Sequence, residues 1–118
     1  MRITRIGLAL GLAAASTAAA AQDVSGRYTV EGPNFDGSRY RGVATIAVTS
    51  KNTCRIEWNV GTVWQGICMR NGSTFAASYF AGKAVGLIIY EIRPDGRMEG
   101  LWTIADQDGV GTETLIPR

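Results

Sequence analysis

The chain reads as an all-β protein, an eight-stranded antiparallel up-and-down barrel, and three observations carry that reading. Past Gln22 no stretch has helical periodicity, while runs rich in Val, Ile, Thr and aromatic residues recur every 8–12 residues. Each run is bounded by Gly, Asn, Asp or Pro in turn-forming combinations. The turns, taken one by one, place the same set of large rings on one face of the sheet. A two-sheet β-sandwich is the alternative architecture.

The elements follow in order. Residues 1–21 form a secretory signal peptide: Arg2 and Arg5 open it, an apolar run covers Ile6 to Ala15, and Ala19-Ala20-Ala21 fits a small-residue cleavage site. The apolar run is too short to span a bilayer. Residues 22–118 are then one β-barrel domain. Its strand segments lie near 25–32, 39–49, 53–60, 62–70, 73–80, 84–93, 96–105 and 109–116. The separators include Gly32-Pro33-Asn34-Phe35-Asp36-Gly37, Ser50-Lys51-Asn52, Gly61, Asn71-Gly72, Gly82-Lys83, Pro94-Asp95-Gly96 and Asp106-Gln107-Asp108-Gly109. Asn71-Gly72 carries the strongest hairpin signal, because both residues tolerate positive φ.

Register follows from the turns. Centring a hairpin on Gly61 opposes Cys54 to Cys68, Ile56 to Gly66 and Trp58 to Trp64. Centring the next on Asn71-Gly72 opposes Cys68 to Phe75, Gly66 to Ala77 and Trp64 to Tyr79. A Gly82-Lys83 turn opposes Tyr79 to Gly86 and Phe75 to Tyr90, and a Pro94-Asp95-Gly96 turn opposes Tyr90 to Gly100 and Ile88 to Trp102. Trp58, Trp64, Phe75, Tyr79, Tyr90 and Trp102 thus share a face, and alternation adds Tyr28 and Tyr40. Gly66, Gly86 and Gly100 sit inside strands, where an aromatic ring is expected to lie over each. The expected interior is largely filled by side chains, leaving a shallow pocket at the ends near Tyr28, Tyr40 and Met98.

Composition narrows the chemistry. Arg2 and Arg5 fall in the leader, so the ten basic and ten acidic residues of the mature domain cancel. Neutrality without a basic cluster argues against nucleic acid and anionic membrane surfaces. The outward positions Arg27, Glu31, Arg39, Arg41, Arg55, Glu57, Gln65, Glu91, Arg97 and Glu99 argue against an inserted membrane barrel. There is no His, which removes the commonest general base and metal ligand. Cys54 and Cys68, an even pair in an exported chain, read as a structural disulfide. Glu91 faces Glu99, but an exposed carboxylate pair has no burial to split its pKa values for glycosidase chemistry. Asn34-x-Asp36-Gly37 and Asp106-x-Asp108-Gly109 resemble fragments of calcium loops, yet are also what tight turns prefer, so no metal and no cofactor is expected.

The motifs carry resemblances. Gly26-Arg27-Tyr28 resembles the Gly-x-Trp start of lipocalin-like and avidin-like barrels, with Tyr in place of Trp, and Gly100-Leu101-Trp102 echoes it. The order Gly26-Arg27-Tyr28, Asp36-Gly37, Tyr40-Arg41-Gly42, Trp58, Gly66, Tyr90, Asp95-Gly96, Gly100-x-Trp102 and Gly111-Thr112-Glu113 resembles small exported bacterial β-barrel proteins, mostly uncharacterised, some carrying a fibronectin-binding label. Ser25-Gly26-Arg27-Tyr28 is also similar to the opening strand of exported lipocalin-like inhibitors of bacterial metalloproteases.

Together these point to a periplasmic or secreted, non-enzymatic binding protein. The first expectation is a protein partner, an extracellular or envelope macromolecule, which the resemblance extends to fibronectin-like host matrix. It would dock on an exposed apolar row of Ile67, Ala76, Leu87, Ile89 and Leu101, which equally fits a homo-oligomer. The second is a lipocalin-like carrier holding a small hydrophobic ligand among Trp58, Trp64, Tyr79, Tyr90 and Trp102. The third is an inhibitor of a secreted hydrolase acting through a flexible segment at Gln22 to Val24.

Overall fold

A computed structural model describes residues 24–118. The strands are β1 (Gly26–Pro33), β2 (Arg39–Val48), β3 (Cys54–Asn59), β4 (Val63–Asn71), β5 (Thr74–Ala81), β6 (Ala84–Ile92), β7 (Met98–Ile104) and β8 (Gly111–Pro117). Each pairs antiparallel with the next, and β8 returns to β1 with Val30 opposite Leu115, so the sheet is a closed barrel. Closure, which leaves no edge strand, rules out the sandwich. Among the described residues no helix is long and apolar enough to cross a membrane. The expected leader, residues 1–21, lies outside the described residues, as do Gln22 and Asp23.

Strict alternation builds the core. β3 turns Cys54, Ile56 and Trp58 inward and Arg55, Glu57 and Asn59 outward. Tyr90, Phe75, Met98, Leu115 and Val30 are the largest fully buried side chains. Burial of each stabilises the fold by about 1.5–3 kcal/mol. The eight rings expected inside are all buried or half-buried against this core, whereas Phe35 and Phe80 are exposed. Cys54 and Cys68 stand opposite one another on β3 and β4, bonded, with Cα atoms 4.9 Å apart.

Three of the four registers read from turns are the observed ones. The β4–β5 hairpin differs: Asn71 pairs with Thr74 and Cys68 with Ala77, a shift of two residues from the expected pairing. Gly72 and Ser73, not Asn71 and Gly72, are the turn centre, and of the two only Gly72 has positive φ (+61°). Glycine first and an ordinary residue second is the type II′ pattern, which Asn71 cannot start as well. Because the shift is even, every side chain keeps its face.

Four further expectations need correction. At Gly66 the nearest obstacle is backbone and not a ring: a Cβ there would strike the Ser78 carbonyl, so the glycine serves a close backbone approach, while Tyr79 covers Gly86 and Tyr90 covers Gly100 as expected. The outer apolar row runs Met69, Ala76, Ile89, Leu101, with Met69 in the place expected of Ile67. Tyr28 and Met98 lie in the closed end with Val24, Ile46, Phe75 and Leu115, away from the cavity at the open end. Val24 is not a free tail: it is buried, and its carbonyl accepts a 2.8 Å hydrogen bond from the Tyr28 hydroxyl.

Candidate functional site

The barrel is closed at the end holding the disulfide and open at the end holding the β1–β2, β3–β4, β5–β6 and β7–β8 connections. At the open end a cavity of about 280 Å³ is lined chiefly by Tyr40, Trp58, Trp64, Tyr79, Trp102 and Glu113, with Asn34, Val60 and Thr62 toward the rim. Its walls are rings packed edge to face: Trp58 and Tyr79 at 5.6 Å, Trp64 and Tyr79 at 5.2 Å. Trp64 and Tyr79 are not directly opposed, since Gln65 pairs with Phe80. The two-residue offset makes them diagonal neighbours, still within reach of aromatic side chains. At the rim Phe35 stacks on Trp102 with centroids 5.0 Å apart, tying the β1–β2 connection to β7.

Glu113 is the residue that sequence reasoning missed. It is the buried charged side chain of the described core. Tyr40 donates to its Oε1 at 3.0 Å, Trp58 Nε1 donates to its Oε2 at 3.2 Å, and the Tyr90 hydroxyl donates to the same Oε2. Trp58 Nε1 also reaches the Tyr90 hydroxyl at 3.1 Å. Among the described residues no buried side-chain N or O atom lacks a partner. Burial pushes the Glu113 carboxyl above its ordinary value, while its three donors pull the other way. Tyr40 and Tyr90 are raised by burial and by the Glu113 charge, and Tyr79 is pushed up to about 12 by the same two causes.

The geometry depends on Gly100. Tyr90 on β6 stands opposite Gly100 on β7, which stands opposite Glu113 on β8. The Tyr90 ring lies over Gly100 and reaches Glu113 across it. A Cβ at Gly100 would sit 2.6 Å and 2.8 Å from two Tyr90 ring carbons.

Of the expected ligand-site residues, Trp58, Trp64, Tyr79 and Trp102 line the cavity, while Tyr90 lies beneath it and holds Glu113. The signal that could have found Glu113 is parity with Gly111 and Leu115, both inward on β8. The expected partner-surface residues Ile67, Leu87, Ile89 and Leu101 are all exposed, as is Ala76, and Met69, Phe80 and Val85 extend that face across β4 to β7. Glu91 and Glu99 face each other on the exterior, with Arg93 Nε 3.3 Å from Glu99. Asp36 takes the Ser38 backbone N–H and hydroxyl within its own turn. Among the described residues no three His, Cys, Asp or Glu side chains cluster as a metal site. A second hollow, about 410 Å³, lies on the outside over Gly66 between Arg55, Glu57, Gln65 and Phe80. It is larger, but its rim is made of exposed side chains, whereas the interior cavity is walled by buried and half-buried rings.

No family model matches the chain, and no curated protein matches it. Among solved structures it is similar to a redesigned β-barrel at 18% identity, over 86% of this chain and 96% of that one, with a TM-score of 0.70. It is also similar to a de novo designed fluorescence-activating β-barrel at 18% identity, over 82% of this chain and 96% of that one, with a TM-score of 0.64. At that identity the likeness is one of fold alone. What these comparisons share with this chain is the closed antiparallel β-barrel.

Proposed function

We propose that this protein is a non-enzymatic, lipocalin-like carrier that holds one small ligand in the open end of its barrel. The observation that carries this reading is the cavity itself: five aromatic side chains and one buried carboxyl around about 280 Å³. Ligand sites combine mostly apolar walls with a few placed polar groups, and this one lies just below their usual size range. Glu113 is held by Tyr40, Tyr90 and Trp58, an arrangement suited to orienting a ligand; among the described residues no Asp, Ser, Cys or Lys lines the cavity beside it. The similarity to a designed fluorescence-activating barrel supports the capacity of such a fold to hold a small molecule.

The test is a titration with naphthalene followed by ¹H–¹⁵N spectra. The indole N–H signals of Trp58, Trp64 and Trp102 are expected to shift together, with backbone signals of the outer strand faces unmoved. Shifts confined to Ile89 and Leu101 would sink the cavity reading.

A second reading is favoured by the outer face of β4 to β7, where Ile67, Met69, Phe80, Leu87, Ile89 and Leu101 are each more than half exposed. Apolar surface of that kind marks partner sites. In this reading the protein is exported and docks on an envelope or matrix macromolecule, or on its own copy. Substituting Leu87 and Ile89 by Ser would then abolish association measured by light scattering or pull-down.

A further inference from the structure

We propose that the cavity takes a small organic cation of the alkylammonium kind, with the Glu113 carboxylate as its counter-charge and the rings of Trp58, Trp64, Tyr79 and Trp102 as its walls. This rests on the carrier reading and specifies its ligand.

The argument begins with what Glu113 lacks. A charge removed from water is costly unless it is both hydrogen-bonded and paired. Glu113 has the hydrogen bonds, from Tyr40, Trp58 and Tyr90, but all three donors are neutral. Among the described residues no Arg or Lys acts on it. A barrel interior built for stability alone would place an apolar side chain there, as it does with Leu115 two residues on. What is missing from the site is one positive charge, and the cavity beside the carboxyl is where it would sit.

The walls select the kind of cation. The faces of Trp and Tyr attract cations through the ring quadrupole, and aromatic enclosures are how quaternary ammonium groups are held. Trp58, Trp64, Tyr79 and Trp102 all line this cavity, as does Tyr40, whose hydroxyl is bonded to Glu113. A metal ion is a poor fit: it requires several anionic or carbonyl oxygens, and this cavity has one carboxyl among rings. An anion would meet the Glu113 charge. A neutral ligand would fill the space but leave the carboxylate unpaired. A cation with an apolar shell satisfies both the charge and the rings.

The experiment compares two molecules of nearly one shape, choline and its uncharged isostere 3,3-dimethyl-1-butanol. Binding to the intact protein is followed by the Trp indole N–H signals. Choline is expected to bind about tenfold more tightly than the alcohol. In Glu113→Gln the preference is expected to fall to near unity. Equal binding of the two by the native protein, or a preference that survives Glu113→Gln, overturns the cation inference and leaves the carrier reading standing. Failure of choline, the alcohol and naphthalene alike overturns both. If Glu113→Gln does not fold, the native ratio decides alone. Trp64→Leu, at a partly buried wall position, is then expected to weaken choline more than the alcohol, and an equal loss for both counts against the inference.

Discussion

Tyr90 and Glu113 meet across an intervening strand, the phenol hydroxyl of β6 donating to the carboxyl of β8 over the bare backbone of Gly100 on β7. A side chain at position 100 would stand between them. The candidate site thus depends on an absence of atoms as much as on the residues that line it.

Gly100→Ala tests that dependence. Its Cβ would lie 2.6 Å from a Tyr90 ring carbon, so the ring must move or the strand must bend. The expected cost is about 1–3 kcal/mol, the usual range for overpacking a core. Tyr90→Phe, which removes only the hydroxyl, should cost a similar amount, about 1–3 kcal/mol, by leaving Glu113 short of a donor. Urea denaturation of both variants gives the comparison. A neutral Gly100→Ala would mean the ring has room that the structure denies.

The Glu113 carboxyl makes stability depend on pH in an unusual direction. Its folded value lies above its ordinary 4.5, so the folded protein holds the proton more tightly than the unfolded chain. That contribution is complete below the ordinary value and is lost as pH rises through the folded value. The other titratable groups around the cavity, Tyr40, Tyr79 and Tyr90, are all shifted upward and stay neutral there. Melting temperatures of the native protein minus those of Glu113→Gln should therefore decline as pH is raised from below 4.5 toward neutrality. Parallel curves would place the carboxyl in water.

Cys54→Ser should lower the melting temperature clearly, and so should a reductant acting on the native protein. The bond closes a 14-residue separation between β3 and β4. Loop entropy assigns such a link about 3 kcal/mol. Thermal unfolding with and without dithiothreitol measures it.

Gly66→Ala should be among the most damaging single-atom additions. Its Cβ would strike the carbonyl oxygen of Ser78, which as backbone cannot swing aside. A loss of about 2–3 kcal/mol is expected from forced backbone movement. By contrast Leu87→Ser, at a position 62% exposed, should change stability by no more than about 0.5 kcal/mol. Urea titrations of the pair separate a packed position from an open one.

Local sequence was enough to determine the strands, the face of each side chain and three of the hairpin registers, while the pairing of β8 with β1 that separates barrel from sandwich came from the closed structure. Alternation assigns Cys54, Ile56 and Trp58 to one face whatever lies around them, and short turns at Gly61 and Gly82-Lys83 leave only one pairing for their strands. The β4–β5 register escaped because Asn71-Gly72 and Gly72-Ser73 are both acceptable turn centres, and only the wider barrel chooses between them. Glu113 escaped for a related reason. The connection before β8 is long, so no tight turn sets its register, and an isolated Glu in a strand ordinarily faces water. Its inward position became tolerable only when closure brought β6, β2 and β3 around it and supplied Tyr90, Tyr40 and Trp58 as donors. Chain order thus decides which side of the sheet each ring occupies, because alternation is a property of neighbouring residues. Whether those rings fill the interior or frame a cavity around one carboxyl depends on groups far apart in sequence, and so only the closed structure decides it.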